Sequence, residues 1–421
     1  MYIGLDLGTT VCKGALYDNN MNQCGEYYHE YSLITDGDYV EQNADDWWNM
    51  VKKTLKTLNE LIPNDTVTAI GISTQGISFV PVDEYGTPLH NAFSWLDKRP
   101  KEETALLGLR FGENEIYRKT GKPLSAAYTL PKLMWFKKHY SELYEKTHKL
   151  LMPLDFLNFK LTGNAVTDYT IASGTMLYNL RDKCWDSELL EFSGITEDKL
   201  PQVICMGTEI GRILPDVAKE LGIDSGCKII LGGQDQKLAA IGAGIVSSED
   251  VCSVSIGTAT AVTKLKPSNF IPSDKSKIPL FVFDDNHIAA EESIMTTGAA
   301  IKWLAGIINE SYANMDILAE QASPGANGVQ FDLSLSTAAS IYGLTLATRK
   351  EDIIRALYES ICYEIKSCID RLGGAVEIRV FGGGSKSGPL CRMLAEITGL
   401  NVCVTDTSEA AALGAAMIAS R

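Results

Sequence analysis

The chain has 421 residues, 45% of them hydrophobic, with a net charge of −15 and 10 cysteines. That length exceeds what one ordinary hydrophobic core organises, so two domains are expected, and the acidic balance excludes the basic footprint of a nucleic-acid surface. No apolar run reaches the roughly 18 to 20 residues that span a bilayer, the start reads as a strand carrying Asp6 rather than a secretory leader, and the scattered cysteines include no Cys-x-x-Cys pair, so the expectation is a cytoplasmic chain with free thiols, no membrane partner and no His/Cys metal site.

Residues 3 to 18, IGLDLGTTVCKGALYD, read as strand, Gly-Thr-Thr turn and strand. Residues 43 to 62 carry helical apolar spacing at Trp47, Val51, Leu55, Leu58 and Ile62, with Asn43 as cap and acids in the first turn. VTAIGIST follows as a buried strand that breaks at Ser73-Thr74-Gln75-Gly76, the kind of strand end where ligands sit in an α/β sheet. Residues 97 to 225 are mostly helical with loops; CKIILGGQ then gives a strand, and a small-residue helix starts near Asp235. VCSVSIGTATAVTKL repeats the opening design around Gly257-Thr258, a faint internal repeat of two strand–Gly-Thr–strand hairpins, each opening a domain. The spacing of Ile354, Leu357, Ile361, Ile365, Ile369 and Leu372 predicts a helix over 351–372 closed by Gly373-Gly374. A strand, a glycine loop, a helix, a short strand and an Ala-rich helix complete the chain, and the domain boundary is expected near residue 246.

A Gly-Thr-Thr turn points successive N–H groups and hydroxyls into a concavity that suits phosphate oxygens. An adjacent carboxylate, Asp6, suits Mg²⁺ held to phosphate, which needs only one or two protein carboxylates, and Lys13 adds a point charge. Read alone, the hairpin is as well explained by an Asp satisfied by backbone groups. The second hairpin and the run Gly382-Gly383-Gly384-Ser385-Lys386-Ser387, between a strand and a helix, add two more anion-compatible loops. Neither the G-x-x-x-x-G-K-[ST] loop nor the dinucleotide fingerprint occurs. Asp235, after a strand and at a helix start, is either an N-cap or a general base that orients a substrate hydroxyl for phosphoryl transfer.

In this order these stretches resemble the FGGY carbohydrate kinase family of the actin/Hsp70/sugar-kinase superfamily. YVEQNADDWW, SWLDKR, YTLPKLMWFKKH, DYTIASGTMLYNL, LGGQDQKLAAIGAG, GAAIKWL and EAAALGAAMIA extend the likeness from end to end, and YTLPKLMWFKKH and DYTIASGTMLYNL point to the xylulokinase branch. The resemblance implies an α/β fold of two ribonuclease-H-like domains, 1–246 and 247–421, with a cleft between them; the first would bind sugar and the second, shortened, the nucleotide. It implies ATP with Mg²⁺ near Asp6. Thr9, Thr10, Lys13, Gly257 and Thr258 would line the phosphates, and Gly383, Gly384, Ser385 and Ala411 would border the nucleoside. Asp235 would be the catalytic base, and Gln75, Trp95, Asp97 and Gln236 would surround the sugar. Core packing for Trp95, a helix N-cap for Asp97 and an exposed first-turn position for Gln236 are the bland alternatives.

Two departures bear on substrate. Xylulokinases usually read Gln-Met-His-Gly where this chain has Gln75-Gly76-Ile77-Ser78, and the Arg-Glu pair of glycerol kinases is missing as well. The segment between Gly306 and Thr345 is shorter than the family pattern. The expectation is therefore an ATP-dependent kinase of a primary hydroxyl on a small sugar or polyol. A ketopentose such as xylulose comes first, and glycerol, a tetritol or tetrulose, or an aldonate stand as alternatives. The resemblance allows a homodimer. An inactive sugar- or nucleotide-binding protein, and a protein-directed ATPase of the superfamily, are the readings of other classes.

Overall fold

The computed structural model describes the whole chain except residues 246–247, 271–276, 334–339 and 406–408. The boundary expected near residue 246 lies outside the described residues. The chain divides into two compact units: 1–242 with 267–289 and 411–421, and 243–266 with 290–410.

In the first unit the opening stretch forms β1 (Tyr2–Leu7) and β2 (Val11–Tyr17), antiparallel with Asp6 opposite Lys13. β3 (Gln23–Glu30) extends this edge with an alternating exposed and half-buried pattern. α1 (Ala44–Glu60) starts where Asn43 accepts the Asp45 N–H at 2.9 Å, and acids Asp45 and Asp46 sit at its positive end. β4 (Ala69–Thr74) pairs in parallel with β1, setting Ser73 beside Asp6 and Thr74 beside Leu7. The middle of the unit contains helices separated by short strands, among them α2 (Lys101–Phe111) and the single turn α3 (Tyr169–Ala172). β5 (Glu209–Arg212) and β6 (Lys228–Gln234) complete the sheet, and α4 (Asp235–Gly242) follows β6 without a break. The strand order is β5-β6-β4-β1-β2-β3.

Both faces of this sheet are covered. On one, α1 lies so close that a Cβ on Gly14 would stand 2.6 Å from Thr54 Cγ2 and 2.8 Å from Leu58 Cδ1. On the other, the C-terminal helix (Ala410–Ala419) presses on β1 and β4: a Cβ on Gly4 would stand 1.8 Å from the Ala412 carbonyl oxygen, and one on Gly71 2.0 Å from that of Ala415. Glycine is required at both strand positions because the helix backbone occupies the space of a side chain.

In the second unit β7 (Val251–Ile256) and β8 (Thr260–Pro267) form the second hairpin. β9 (Leu280–Val282), in the 267–289 segment that belongs to the first unit, and β10 (His287–Ile294) follow, then α5 (Gly298–Ile308). α6 (Lys350–Arg371) buries Ile354, Leu357, Ile361, Ile365 and Ile369, as its spacing predicts. It ends at Gly373 and Gly374, both in the left-handed region at φ 85° and 73°. β11 (Glu377–Phe381), α7 (Gly388–Thr398) and β12 (Asn401–Val404) close the unit, and the strand order is β9-β10-β8-β7-β11-β12. β7 pairs antiparallel with β8 and parallel with β11, as β1 does with β2 and β4. The faint repeat in the sequence is thus a repeated sheet topology.

Candidate active site

In the first unit the site grows from the C-terminal ends of the parallel strands β1, β4 and β6. Ser73 Oγ donates to Asp6 Oδ1 at 2.7 Å, so the register of β1 and β4 fixes one carboxylate oxygen. Beyond Asp6 the turn closes with the Gly8 N–H on the Val11 carbonyl at 2.9 Å. The Thr9 hydroxyl accepts from Trp95 Nε1 at 2.9 Å, and its carbonyl accepts from Gln42 Nε2 at 2.7 Å. Gln42 Oε1 in turn accepts from Gln75 Nε2 at 3.0 Å. One hydrogen-bond chain thus joins Thr9, Trp95 and Gln75 through Gln42, a fully buried residue that the sequence reading did not single out. Its only sequence signal was its place in the YVEQN stretch just ahead of the α1 cap.

Where these strands end, three buried oxygen atoms have no hydrogen-bond partner among the described residues: Thr74 Oγ1, Gln75 Oε1 and Gln234 Oε1. Thr74 and Gln234 are register partners on β4 and β6, and a Cβ on Gly76 would stand 3.0 Å from Gln234 Cγ. Unsatisfied buried acceptors cost about 1–3 kcal/mol each, so a group of them asks for donors from elsewhere. Asp235 lies next in sequence. Its Oδ1 accepts from the Gln236 N–H at 2.7 Å and from Gln234 Nε2 at 2.5 Å. A carboxylate at the first position of α4 is favoured by the helix dipole. Gln236, the next residue, is half-buried.

Asp97 has a different setting. Its buried carboxylate accepts from the Val40 N–H at 2.8 Å and from Arg99 Nε at 2.8 Å, and Arg99 also pairs with Glu41 at 2.8 Å. The guanidinium lies over Tyr39, with Arg99 Cζ 4.0 Å from the ring centroid. Asp97 therefore fastens the loop that presents Trp95, and it does not cap α2, which begins at Lys101.

Ile77, in the turn after Gln75, has φ 56°. A β-branched residue in the left-handed region is a conformational outlier costing about 1–2 kcal/mol. The Thr129 hydroxyl holds it there by donating to the Ile77 carbonyl at 2.8 Å.

In the second unit, Gly257 and Thr258 form the β7–β8 turn, and their carbonyls accept the Gly298 and Ala299 N–H groups of α5 at 3.1 and 3.0 Å. The Thr258 side chain is exposed. The glycine run folds back on the same strand end: a Cβ on Gly384 would stand 2.2 Å from Ile256 Cγ2, whereas one on Gly383 would meet nothing within 4 Å. Gly382 turns the chain at φ 87°, and Ser385 Oγ donates to its carbonyl at 2.7 Å. The run is a 3-10 turn over Gly383–Lys386, and α7 starts only after Ser387 caps it. The open flank at Gly383 and the Thr258 hydroxyl fit a flat base and an anion at one sheet edge. Ala411 belongs to the C-terminal helix of the first unit.

The model of the N-terminal domain of the FGGY family of carbohydrate kinases matches residues 1–242, and that of the C-terminal domain matches 252–421. The chain belongs to the FGGY family of carbohydrate kinases. This FGGY kinase is 31% identical over 448 residues to a xylulose kinase of Bacillus subtilis, covering 99% of this chain and 87% of the relative. It is 25% identical over 452 residues to a gluconokinase of the same species, covering 99% and 86%. The crystal structure of a ligand-bound xylulose kinase from Lactobacillus acidophilus matches the fold with a TM-score of 0.92 at 28% identity, covering 99% of this chain and 88% of that one. The chain is a phosphotransferase of the two-domain α/β fold of these kinases, whose members use ATP and act on small sugars. No described helix of this FGGY kinase is long and apolar enough to cross a membrane.

Proposed function

We propose that this FGGY kinase transfers the γ-phosphoryl group of ATP to a primary hydroxyl of a small open-chain sugar or sugar derivative, with Asp235 as general base. The observation that carries the reading is the set of unpartnered oxygens on Thr74, Gln75 and Gln234 at the strand ends, with Gln234 itself bonded to that carboxylate. A polyhydroxylated acceptor brings O–H donors at close spacing, which is what these acceptors lack; an apolar ligand would leave them unsatisfied. Trp95 offers a flat apolar wall whose indole N–H is already turned onto Thr9, and Gln236 stands on the helix start beside the base.

The acceptor hydroxyl gives its proton to the Asp235 carboxylate as its oxygen bonds to the γ-phosphorus, and the bond to the bridging β–γ oxygen breaks to release ADP. Little covalent chemistry falls to the protein, so positioning and charge stabilisation supply the rate. Asp6, Thr9, Thr10 and Lys13 in the first unit, and Gly257, Thr258, Gly383, Gly384 and Ser385 in the second, are the residues we assign to phosphates and nucleoside, with Ala411 bordering the nucleoside. Asp6, with one oxygen held by Ser73, fits a single carboxylate contact to Mg²⁺, which when bound neutralises phosphate charge. The relatives named xylulose kinase and gluconokinase support a ketopentose or an aldonate as acceptor.

Asp235→Ala is expected to lower kcat by about 10²- to 10⁴-fold while nucleotide affinity changes little. Coupled ADP release and calorimetric titration with ADP measure the two. Near-normal turnover in the variant would remove Asp235 from the role.

A further inference from the structure

Within the first unit, Gln42 joins two parts of the site assigned above to different substrates, the Gly8-Thr9-Thr10 turn and Gln75. It ends the short strand Tyr39–Gln42, where it pairs with Ala92, and Asn43 beside it caps α1, so its backbone is fixed on both sides. Its side chain is fully buried. The carbonyls of the turn all accept donors from Tyr31 and Gln42. Gly8 accepts from the Tyr31 hydroxyl, Thr9 from Gln42 Nε2 at 2.7 Å, and Thr10 from the Tyr31 N–H at 2.8 Å.

Hydrogen-bond polarity then passes along the two amides. A backbone carbonyl only accepts, so Gln42 must turn its NH2 to Thr9 and its Oε1 to Gln75. That oxygen also only accepts, so Gln75 must turn its NH2 to Gln42, where Nε2 donates at 3.0 Å. Gln75 Oε1 is what remains, buried and without a hydrogen-bond partner among the described residues. Reversing the Gln75 amide would set two buried carbonyl oxygens against each other, each left without a donor. We propose that Gln42 is a positioning residue that fixes the polarity of the acceptor site. Through it the Thr9 carbonyl makes Gln75 an acceptor only, so the kinase requires a hydroxyl, and rejects a carbonyl or ether oxygen, at one point on the sugar. This rests on the kinase reading above and narrows it from a class of acceptor to the group demanded at one position.

The test is coupled ADP release with xylitol, D-xylulose and D-gluconate, and with analogues in which fluorine replaces one non-reacting hydroxyl. Fluorine keeps the size of the group and donates no hydrogen bond. In the native protein, fluorine at one position should lower kcat/KM about 10- to 100-fold. Gln75→Leu should remove the penalty at that position alone, which identifies the hydroxyl that Gln75 reads. Gln42→Met frees the Gln75 amide to turn, and should cut the same penalty to about threefold or less while penalties at other positions persist. Gln42→Glu still offers an oxygen to Gln75 and should keep the penalty. A side chain that only supported the fold would lower turnover of every acceptor alike. If Gln42→Met does not fold, Gln42→Ala carries the same expectation, since a water in place of the amide can donate or accept. Fluorine tolerated at every position, a Gln75→Leu that moves no penalty, or a penalty unchanged in Gln42→Met overturns the proposal and leaves the kinase reading standing. If no acceptor is turned over, calorimetric titration of the same compounds decides. A position-specific loss of affinity that Gln42→Met relaxes upholds the proposal while the kinase reading falls, and an unrelaxed loss or absent binding overturns it.

Discussion

Single residues in this chain are set by what their neighbours leave them. Asp168 is fully buried, and its carboxylate accepts the Thr170 and Ile171 N–H groups at 2.8 and 3.0 Å as the cap of α3. Burial nevertheless pushes its pKa up from 3.8 to about 6, against those bonds and the charge of Lys237. Between these values the folded chain keeps a proton that the unfolded chain has lost, so this group makes stability fall as pH rises through the window and then level off above it. Asp168→Asn cannot titrate, and the melting temperature of the variant minus that of the native protein should grow from pH 4 to pH 6.5, by an amount equivalent to at most about 3 kcal/mol. A flat difference in differential scanning calorimetry would count against the shift. At this scale the sequence was legible where a residue type has few uses. A carboxylate just after a strand and its glycine pair marks the helix start at Asp235. Asp97 was not legible, because its partner Arg99 is two residues away and the aromatic cage of Tyr39, Phe93 and Trp135 is assembled only by folding.

Elements were legible where one face repeats. Asn43 and the apolar face of α1, and the spacing and closing glycines of α6, place both helices from periodicity and caps alone. The C-terminal helix was legible as a helix, but its packing partner was not. Its Ala-rich sequence is apolar on every side, and what it meets depends on Gly4 and Gly71, more than 300 positions earlier in the chain. That packing is testable. Gly71→Ala would place a Cβ 2.0 Å from the Ala415 carbonyl, and backbone on both sides leaves little room to yield, so a loss of about 1–3 kcal/mol or more is expected. Gly306→Ala, inside α5 with nothing within 4 Å of the new Cβ, should instead gain about 0.5–1 kcal/mol. Urea unfolding of the two variants measures both signs.

At the scale of the whole molecule, the two Gly-Thr hairpins were readable as a faint repeat, and the repeat proves to be one of strand order. What sequence order hid is the composition of the first unit, which draws on residues 1–242, 267–289 and 411–421. A fragment ending at residue 242 would lack the helix that packs on Gly4 and Gly71, leaving that face of a mixed sheet without part of its cover. Such a fragment is expected to be aggregated or molten by size-exclusion chromatography and near-ultraviolet circular dichroism. A monomeric fragment with native-like signal would show that the C-terminal helix is dispensable to the sheet.

The late arrival of that helix also orders events on the ribosome. At about 5–20 residues per second, roughly 20 to 80 s pass between synthesis of β1 and of the helix that shields it. Through that interval the nascent sheet presents Tyr2, Ala15 and Tyr17, which pack with Ala412 and Ala416, without their final cover, a natural substrate for chaperones that hold apolar surface. Chain termination ahead of Ala411 should therefore be far more damaging than the few residues it removes would suggest.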